Sequence, residues 1–247
     1  MQANSSYIAI NNMNTRVFAL LFFAAVTGFI SCKNKDLPPA TPLQAYLNVV
    51  NASPDTIKYY INGTRQNNTS NLFVGGSTAY LAVISGKQSY KFSKATGDFT
   101  TLFTTTYDLT DSVNYSLFVA GTTPDQSFLV ADPLLMAYNI LAADTADKSG
   151  TQSTIRFVNA SPDAGSLNVT VGAGDTVNVN NASFKYTGPY MLFKSGLKEV
   201  KVYQAGSSMA KIDTMINFQA VSRITLFTKG LINGKGSSAF SVSTFDY

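Results

Sequence analysis

The hexapeptide Val50-Asn51-Ala52-Ser53-Pro54-Asp55 returns as Val158-Asn159-Ala160-Ser161-Pro162-Asp163, 108 residues later. The echo continues in register with small insertions. Tyr80 answers to Tyr190, Ser85-Gly86 to Ser195-Gly196, and the segment from Tyr115 to Gly121 (YSLFVAG) to that from Ile224 to Gly230 (ITLFTKG). A period of this length is too long for a solenoid repeat and matches a domain. The chain is therefore read as one module made twice.

The module is rich in strands. Leu47 and Val49 alternate with Asn48 and Val50 before Ser53-Pro54-Asp55 turns the chain, because Pro presets φ and Ser or Asp bonds the turn amides. Ile57–Ile61 reads as a strand closed by Asn62-Gly63, a two-residue hairpin signal. Further strands are expected near 79–84, 89–94, 100–108, 114–120 and 127–130. In the second copy they fall near 154–159, 167–171, 190–194, 199–204, 212–218, 223–228 and 239–245. Strands of this length and spacing predict an all-β chain of two tandem β-sandwiches, 44–131 and 153–247. Between them, 132–152 is a linker. Its Asp132-Pro133-Leu134 start resembles a helix cap, and it is read as a loop covering an open sandwich edge.

The first 31 residues read as a lipoprotein-type signal peptide. Val17 to Ile30 is an unbroken run of apolar and small residues after Arg16, too short for a membrane span and suited to a signal core. Met13 offers an alternative start that would place Arg16 close to the terminus. Phe29-Ile30-Ser31-Cys32 resembles a bacterial lipobox, so Cys32, the only cysteine, is the expected lipidation site. Several acyl chains there would anchor the protein stably. Residues 32–43, with Pro38, Pro39 and Pro42, form an extended tether. The expected address is the cell envelope, lipid-anchored in the outer membrane, with the periplasmic or surface side undecided. Lys33-Asn34-Lys35-Asp36 after the cysteine lacks the acidic run that surface-exported lipoproteins of Bacteroidetes-type bacteria often carry.

Composition narrows the chemistry. Thirteen of the fourteen acids are Asp, and there is no His and no Trp. Without His there is no Ser–His or Cys–His nucleophile pair, and the commonest transition-metal ligand is missing. With Cys32 assigned to lipid, zinc has no soft ligand, so neither a metal nor another cofactor is expected. The net charge of +4 comes from scattered residues rather than a stripe, so nucleic acid is not an expected partner. Ser195-Gly196-Leu197-Lys198 fits the S-x-x-K pattern but lacks its companion motifs, and its echo Ser85-Gly86-Lys87 points to a hairpin turn. The pairs Asp108/Asp111 and Asp144/Asp147 stand outside any calcium-loop context and read as solvated turn residues. No catalytic residue is assigned.

Two groups remain as candidates. In the repeated turn, Asn51, Pro54 and Asp55, with Asn159, Pro162 and Asp163, are read as structural: the Asn ties the strand end to the turn and the Asp caps it. Tyr59 and Tyr60 are adjacent on a strand, so they point to opposite faces and one should be exposed. With Tyr186 and Tyr190, which flank Gly188-Pro189, they are the candidate ligand-facing aromatics.

The V-N-A-S-P-D turn, the strand closed by Asn62-Gly63-Thr64, Tyr80 before Ser85-Gly86, and the 115–121 segment resemble the family of domain of unknown function 4397. The resemblance covers nearly all of 44–245. In the second copy Val171-Gly172-Ala173-Gly174-Asp175 replaces the Asn-Gly hairpin. It implies an immunoglobulin-like sandwich and an envelope location, in secreted or lipid-anchored bacterial proteins that often carry the domain in tandem. It supplies no activity and no catalytic residues. The expected protein is a non-catalytic envelope lipoprotein that serves as a structural, adhesive or protein-binding module. A glycan-binding accessory lipoprotein and a hydrolase are the alternatives. The expected partners are the membrane, through the lipid, and an unidentified protein or glycan.

Overall fold

The computed structural model describes residues 42–132, 151–172 and 177–246. Cys32, the signal segment and Asp144/Asp147 lie outside them. In the first copy the strands are β1 (Gln44–Asn51), β2 (Ile57–Ile61), β3 (Thr64–Arg65), β4 (Leu81–Ile84), β5 (Gly86–Lys94), β6 (Thr101–Leu109), β7 (Asn114–Val119) and β8 (Ser127–Asp132). They form two four-stranded sheets, ordered β4-β1-β7-β8 and β3-β2-β5-β6. The second copy has β9 (Gln152–Val158), β10 (Leu167–Val171), β11 (Val177–Ala182), β12 (Met191–Lys194), β13 (Gly196–Gln204), β14 (Ala210–Phe218), β15 (Arg223–Lys229) and β16 (Ser241–Asp246). Its sheets, β12-β9-β15-β16 and β11-β10-β13-β14, repeat the first pair strand for strand. The pairings β1–β7 and β9–β15 are parallel, and the other ladders are antiparallel.

Each sandwich closes on its own core. Leu47, Val49, Ile57, Tyr90, Phe92 and Leu117 fill the first. Ile155, Phe157, Leu167, Val200, Val202 and Leu226 fill the second. Alternation puts these residues inside and leaves Lys58, Lys91 and Thr104 on the opposite face of the first copy's second sheet. Asn62 (φ 48°) and Gly63 (φ 83°) both take the left-handed conformation, and Ile61 pairs with Thr64. This is the type I′ hairpin that Asn-Gly encodes.

The expected strands 57–61 and 167–171 coincide with β2 and β10. One expectation is corrected. The Ser-Gly pairs are not hairpin turns. Each is a corner where the chain leaves one sheet (β4, β12) for the other (β5, β13), with Gly86 at φ 86° and Gly196 at φ 96° making the bend. Asp132 ends β8 and is fully buried, its carboxylate paired across the molecule, while the helix start and linker expected from 133 onward lie outside the described residues. The first hairpin of the second copy does form, as β10 pairs with β11 across a longer connection.

Candidate functional site

The two sandwiches belong to one unit, Pro42–Tyr247, and the reason lies in their first sheets. β7 is buried at all six positions, so it is covered on both faces: one by its own core, the other by the second copy. A third apolar cluster fills this seam. It joins Val50, Ala52, Phe118, Ala120 and Phe128 of the first copy to Val158, Ala160, Phe227 and Phe245 of the second. Phe118 is the hub, with ring centroids 5.0 Å from Phe128, 5.8 Å from Phe227 and 6.3 Å from Phe245. Val50 with Ala52, and Val158 with Ala160, come from the repeated hexapeptide, whose alternate side chains line the seam. The Gly230 amide donates to the Ala52 carbonyl across it (3.1 Å), and the Ser243 hydroxyl donates to the Gly75 carbonyl (2.9 Å).

Beside the apolar half lies a polar half. Arg156, in the middle of β9, is 3% exposed and its Nη1 meets Oδ1 of the fully buried Asp132 at 2.5 Å as an ion pair. The other carboxylate oxygen accepts from the hydroxyls of Tyr80 (2.6 Å) and Ser116 (2.7 Å). Arg156 Nε donates to the Thr225 hydroxyl (3.0 Å). Two guanidiniums lie against the Tyr190 ring, Arg156 at 4.8 Å and Arg223 at 5.1 Å from its centre, contacts stabilised by the ring's quadrupole. Burial opposes the Arg156 charge, yet Asp132 and the flanking tyrosines hold its pKa above the ordinary arginine value. Burial likewise raises the Tyr190 phenol, outweighing the lowering influence of Arg156. Around the pair, Asn48 Nδ2, Asn114 Oδ1, Thr154 Oγ1 and Arg156 Nη2 are buried without a hydrogen-bond partner among the described residues.

The repeated turn is built by its asparagines. Asn51 Nδ2 donates to the carbonyls of Asp55 (2.8 Å) and Leu72 (2.9 Å), while its Oδ1 accepts from the Ser53 amide (3.1 Å) and hydroxyl (2.7 Å). Asn159 does the same with Gly165, Ala182 and the Ser161 amide, and adds the Thr228 hydroxyl at 2.9 Å. Pro54 and Pro162 are half-buried at the bends. Asp55 meets Lys94 at 3.7 Å, and the Asp163 carboxylate accepts from the Ile232 amide (3.0 Å). Both asparagine side chains are thus engaged at their nitrogen and their oxygen within the fold.

The candidate aromatics do not share a surface. Tyr59 is 3% exposed, in the first core beside Phe92, so it faces no ligand. Tyr186 packs half-buried on the second core, and Tyr190 belongs to the seam. Tyr60 alone lies on an outer sheet face. There it pairs with Arg65 on β3 and Lys91 on β5, and the Lys91 ammonium sits 4.2 Å from its ring centre. Lys58, two residues earlier on the same face, sits 4.4 Å from the exposed ring of Phe99. Cys32 lies outside the described residues. No group of three or more potential metal-ligating side chains converges among the described residues. A cleft of about 360 Å³, lined by residues that include Ile61, Asn62, Gln66, Val83, Ile84 and Gln88, has no carboxylate in its lining.

Sequence reasoning missed the seam residues Tyr80, Phe118, Asp132, Arg156 and Phe227. The signal was present: 115–120 and 224–227 are nearly continuous apolar runs where neighbouring strands alternate, and such runs mark strands covered on both faces.

The sequence model of the family described as domain of unknown function (DUF4397) matches residues 45–149 and again 153–243. No curated protein matches the chain. Among solved structures, the chain is similar to the CBMbc module (family CBM26) of Eubacterium rectale Amy13K in complex with maltoheptaose. That match has 8% identity and TM-score 0.25, covering 83% of this chain and 97% of the module. A family 41 carbohydrate-binding module from streptococcal virulence factors, which recognises alpha-glucan, matches at 12% identity and TM-score 0.24, covering 81% and 96%. A proposed cell adhesion protein from Bacteroides ovatus matches at 9% identity and TM-score 0.24, covering 83% and 96%. Scores at this level carry no ligand or activity over to this chain.

Proposed function

We propose that this chain, which belongs to the DUF4397 family through two tandem copies, is a non-catalytic binding module of the cell envelope. One observation supports this reading above the others: the buried ionisable cluster is consumed in welding the two sandwiches together. Asp132 and Arg156 are ion-paired beneath Tyr80 and Tyr190, which leaves them no access to a substrate. What remains outward are two sheet faces and their loops on a rigid double sandwich, a scaffold suited to presenting a surface. The lipobox-like Cys32 would hold that scaffold on the outer membrane, with 1–31 removed and 32–43 as spacer.

The test is retention of the full chain on a panel of polysaccharides, extracellular proteins and isolated envelopes, with product analysis of each glycan. Retention without glycan shortening is the expected result. Shortening would make it a hydrolase, and retention on nothing would remove the reading. Protease shaving of intact cells, comparing the native chain with Cys32→Ala, tests the address: the variant should leave the membrane fraction. If it stays, the lipid anchor is wrong.

A further inference from the structure

The outer faces of the two second sheets occupy equivalent positions and carry different chemistry. On the first copy, Arg65, Tyr60, Lys91 and Thr104 lie in one cross-strand row over β3-β2-β5-β6, with Lys58 beside Tyr60 along β2. None of Lys58, Arg65 or Lys91 forms an ion pair with a carboxylate among the described residues. On the second copy the same row reads Asn178, Thr170, Lys201 and Asp213. Its one cation is neutralised, with Lys201 at 2.8 Å from Glu199 and 3.8 Å from Asp213. One copy thus keeps three uncompensated cations around a tyrosine where the other has cancelled its charge.

We infer that the outer face of β3-β2-β5-β6 docks an acidic polysaccharide, whose carboxylates meet Lys58, Arg65 and Lys91 while its hydroxyls meet Thr104. This rests on the binding-module reading and names its ligand class. Charge complementarity sets the sign of the partner. The neighbours decide its kind. The exposed positions beside Lys91 are Ser89, Thr104 and Thr106, hydroxyls suited to sugar hydroxyls, whereas a protein interface centres on buried apolar anchors. The exposed Phe99 ring lies by Lys58, and among the described residues the face's one carboxylate, Asp108, lies further along opposite Lys87. A membrane would need protruding apolar rings, yet Tyr60 and Phe99 each have an ammonium group over one face. A pleated sheet is also flat and extended, as a polysaccharide is, with strands about 4.8 Å apart.

The experiment measures retention of the full chain on immobilised polygalacturonate and on neutral dextran, with phosphatidylglycerol vesicles and a single-stranded oligonucleotide as further probes. The expected result is salt-sensitive retention on polygalacturonate alone. Affinity should fall about tenfold in Lys58→Gln/Lys91→Gln and stay within about twofold of the native chain in Lys201→Gln. Unchanged thermal melting of the double variant would show that the loss is not unfolding. The inference is overturned if the native chain ignores polygalacturonate, if dextran retains it equally, if Lys201→Gln weakens it as much, or if vesicles or the oligonucleotide bind in preference. Failure on polygalacturonate with retention on dextran removes this ligand and spares the binding-module reading. Failure on every surface in the wider panel removes both.

Discussion

The two copies agree in the apolar half of the seam and differ in the polar half. Val50, Ala52 and Phe118 face Val158, Ala160 and Phe227, the same residues at the same strand positions. One row further along β1 and β9, Asn48 of the first copy stands where Arg156 stands in the second, and along β7 and β15 Asn114 stands where Arg223 does. The carboxylate that answers Arg156 comes only from the first copy, at Asp132. The shared half supplies adhesion that any two copies would feel, since it is non-directional burial of apolar area. The divided half supplies identity. Two second copies would bury guanidiniums without the Asp132 carboxylate, and two first copies would bury a carboxylate without Arg156. Only the unlike pairing satisfies both, which is specificity gained by penalising the alternatives.

Breaking the shared half should have the largest effect. Phe118 is fully buried and touches three other rings, so Phe118→Ala should cost near the top of about 3–5 kcal/mol in denaturant unfolding of the full chain. Phe227, its counterpart, touches two rings, Phe118 and Phe245, so Phe227→Ala should cost less. Equal costs would mean that Phe118 is not the hub. With no Trp in the chain, far-ultraviolet circular dichroism is the natural probe.

Breaking the divided half comes next. Asp132→Ala leaves Arg156 charged and buried, for about 3–5 kcal/mol, in the lower part of that range because Thr225 and Tyr190 still hold the guanidinium. Asp132→Leu with Arg156→Met removes both charges together and should recover most of the loss, because a buried pair replaced by apolar groups is often neutral. If the double variant is as unstable as Asp132→Ala, the pair contributes to folding in its own right and not mainly to identity.

Much of this fold was legible in the sequence, and what was not has particular causes. Period-two alternation located β2 and β10 to the residue because their two faces differ, one in a core and one in solvent. β11 alternates too (Val177-Asn178-Val179-Asn180), but Asn disfavours strands and the segment is not among those expected. β3 is two residues long, and nothing but its hairpin marks it. The role of Asp132 in the seam was not legible because its partner, Arg156, is 24 residues on and in the other copy. Adjacent tyrosines were correctly expected on opposite faces, and Tyr60 is the one turned outward, although only half-exposed.

The repeated asparagines give a smaller effect and a finer comparison. Asn51→Ala strands two carbonyls and the Ser53 donors, at the upper end of about 1–3 kcal/mol. Asn159→Ala should cost more, because the hydroxyl that Asn51 receives from Ser53 inside its own turn is replaced at Asn159 by that of Thr228 on β15, which in turn receives the Ala160 amide and so ties the turn to the sheet. Valine stands at the equivalent place in the first copy, at Val119. Making Thr228→Val should therefore shrink the difference between the two asparagine variants. If the difference persists, the extra cost arises elsewhere in the second turn.

The smallest effect belongs to the first hairpin of each copy. In the first, Asn62 adopts φ 48° in a two-residue turn, and its side-chain oxygen accepts from the Ser89 amide at 2.9 Å. Alanine there would hold an unfavourable left-handed conformation, so Asn62→Ala should destabilise by about 1–2 kcal/mol. Asn62→Gly loses the same side-chain bonds, to Ser89 and Gln88, but keeps the conformation free of strain, so it should cost less than the alanine variant. In the second copy β10 ends at Val171 and β11 starts at Val177, so more than two residues separate the paired strands. Inserting one residue after Gly63 should therefore cost more in melting temperature than inserting one after Gly172, as a tight I′ turn sets register and a longer loop does not. Equal tolerance at both sites would mean that β2 and β10 are held in register by β5 and β13 alone, with the Asn-Gly turn following their pairing rather than dictating it.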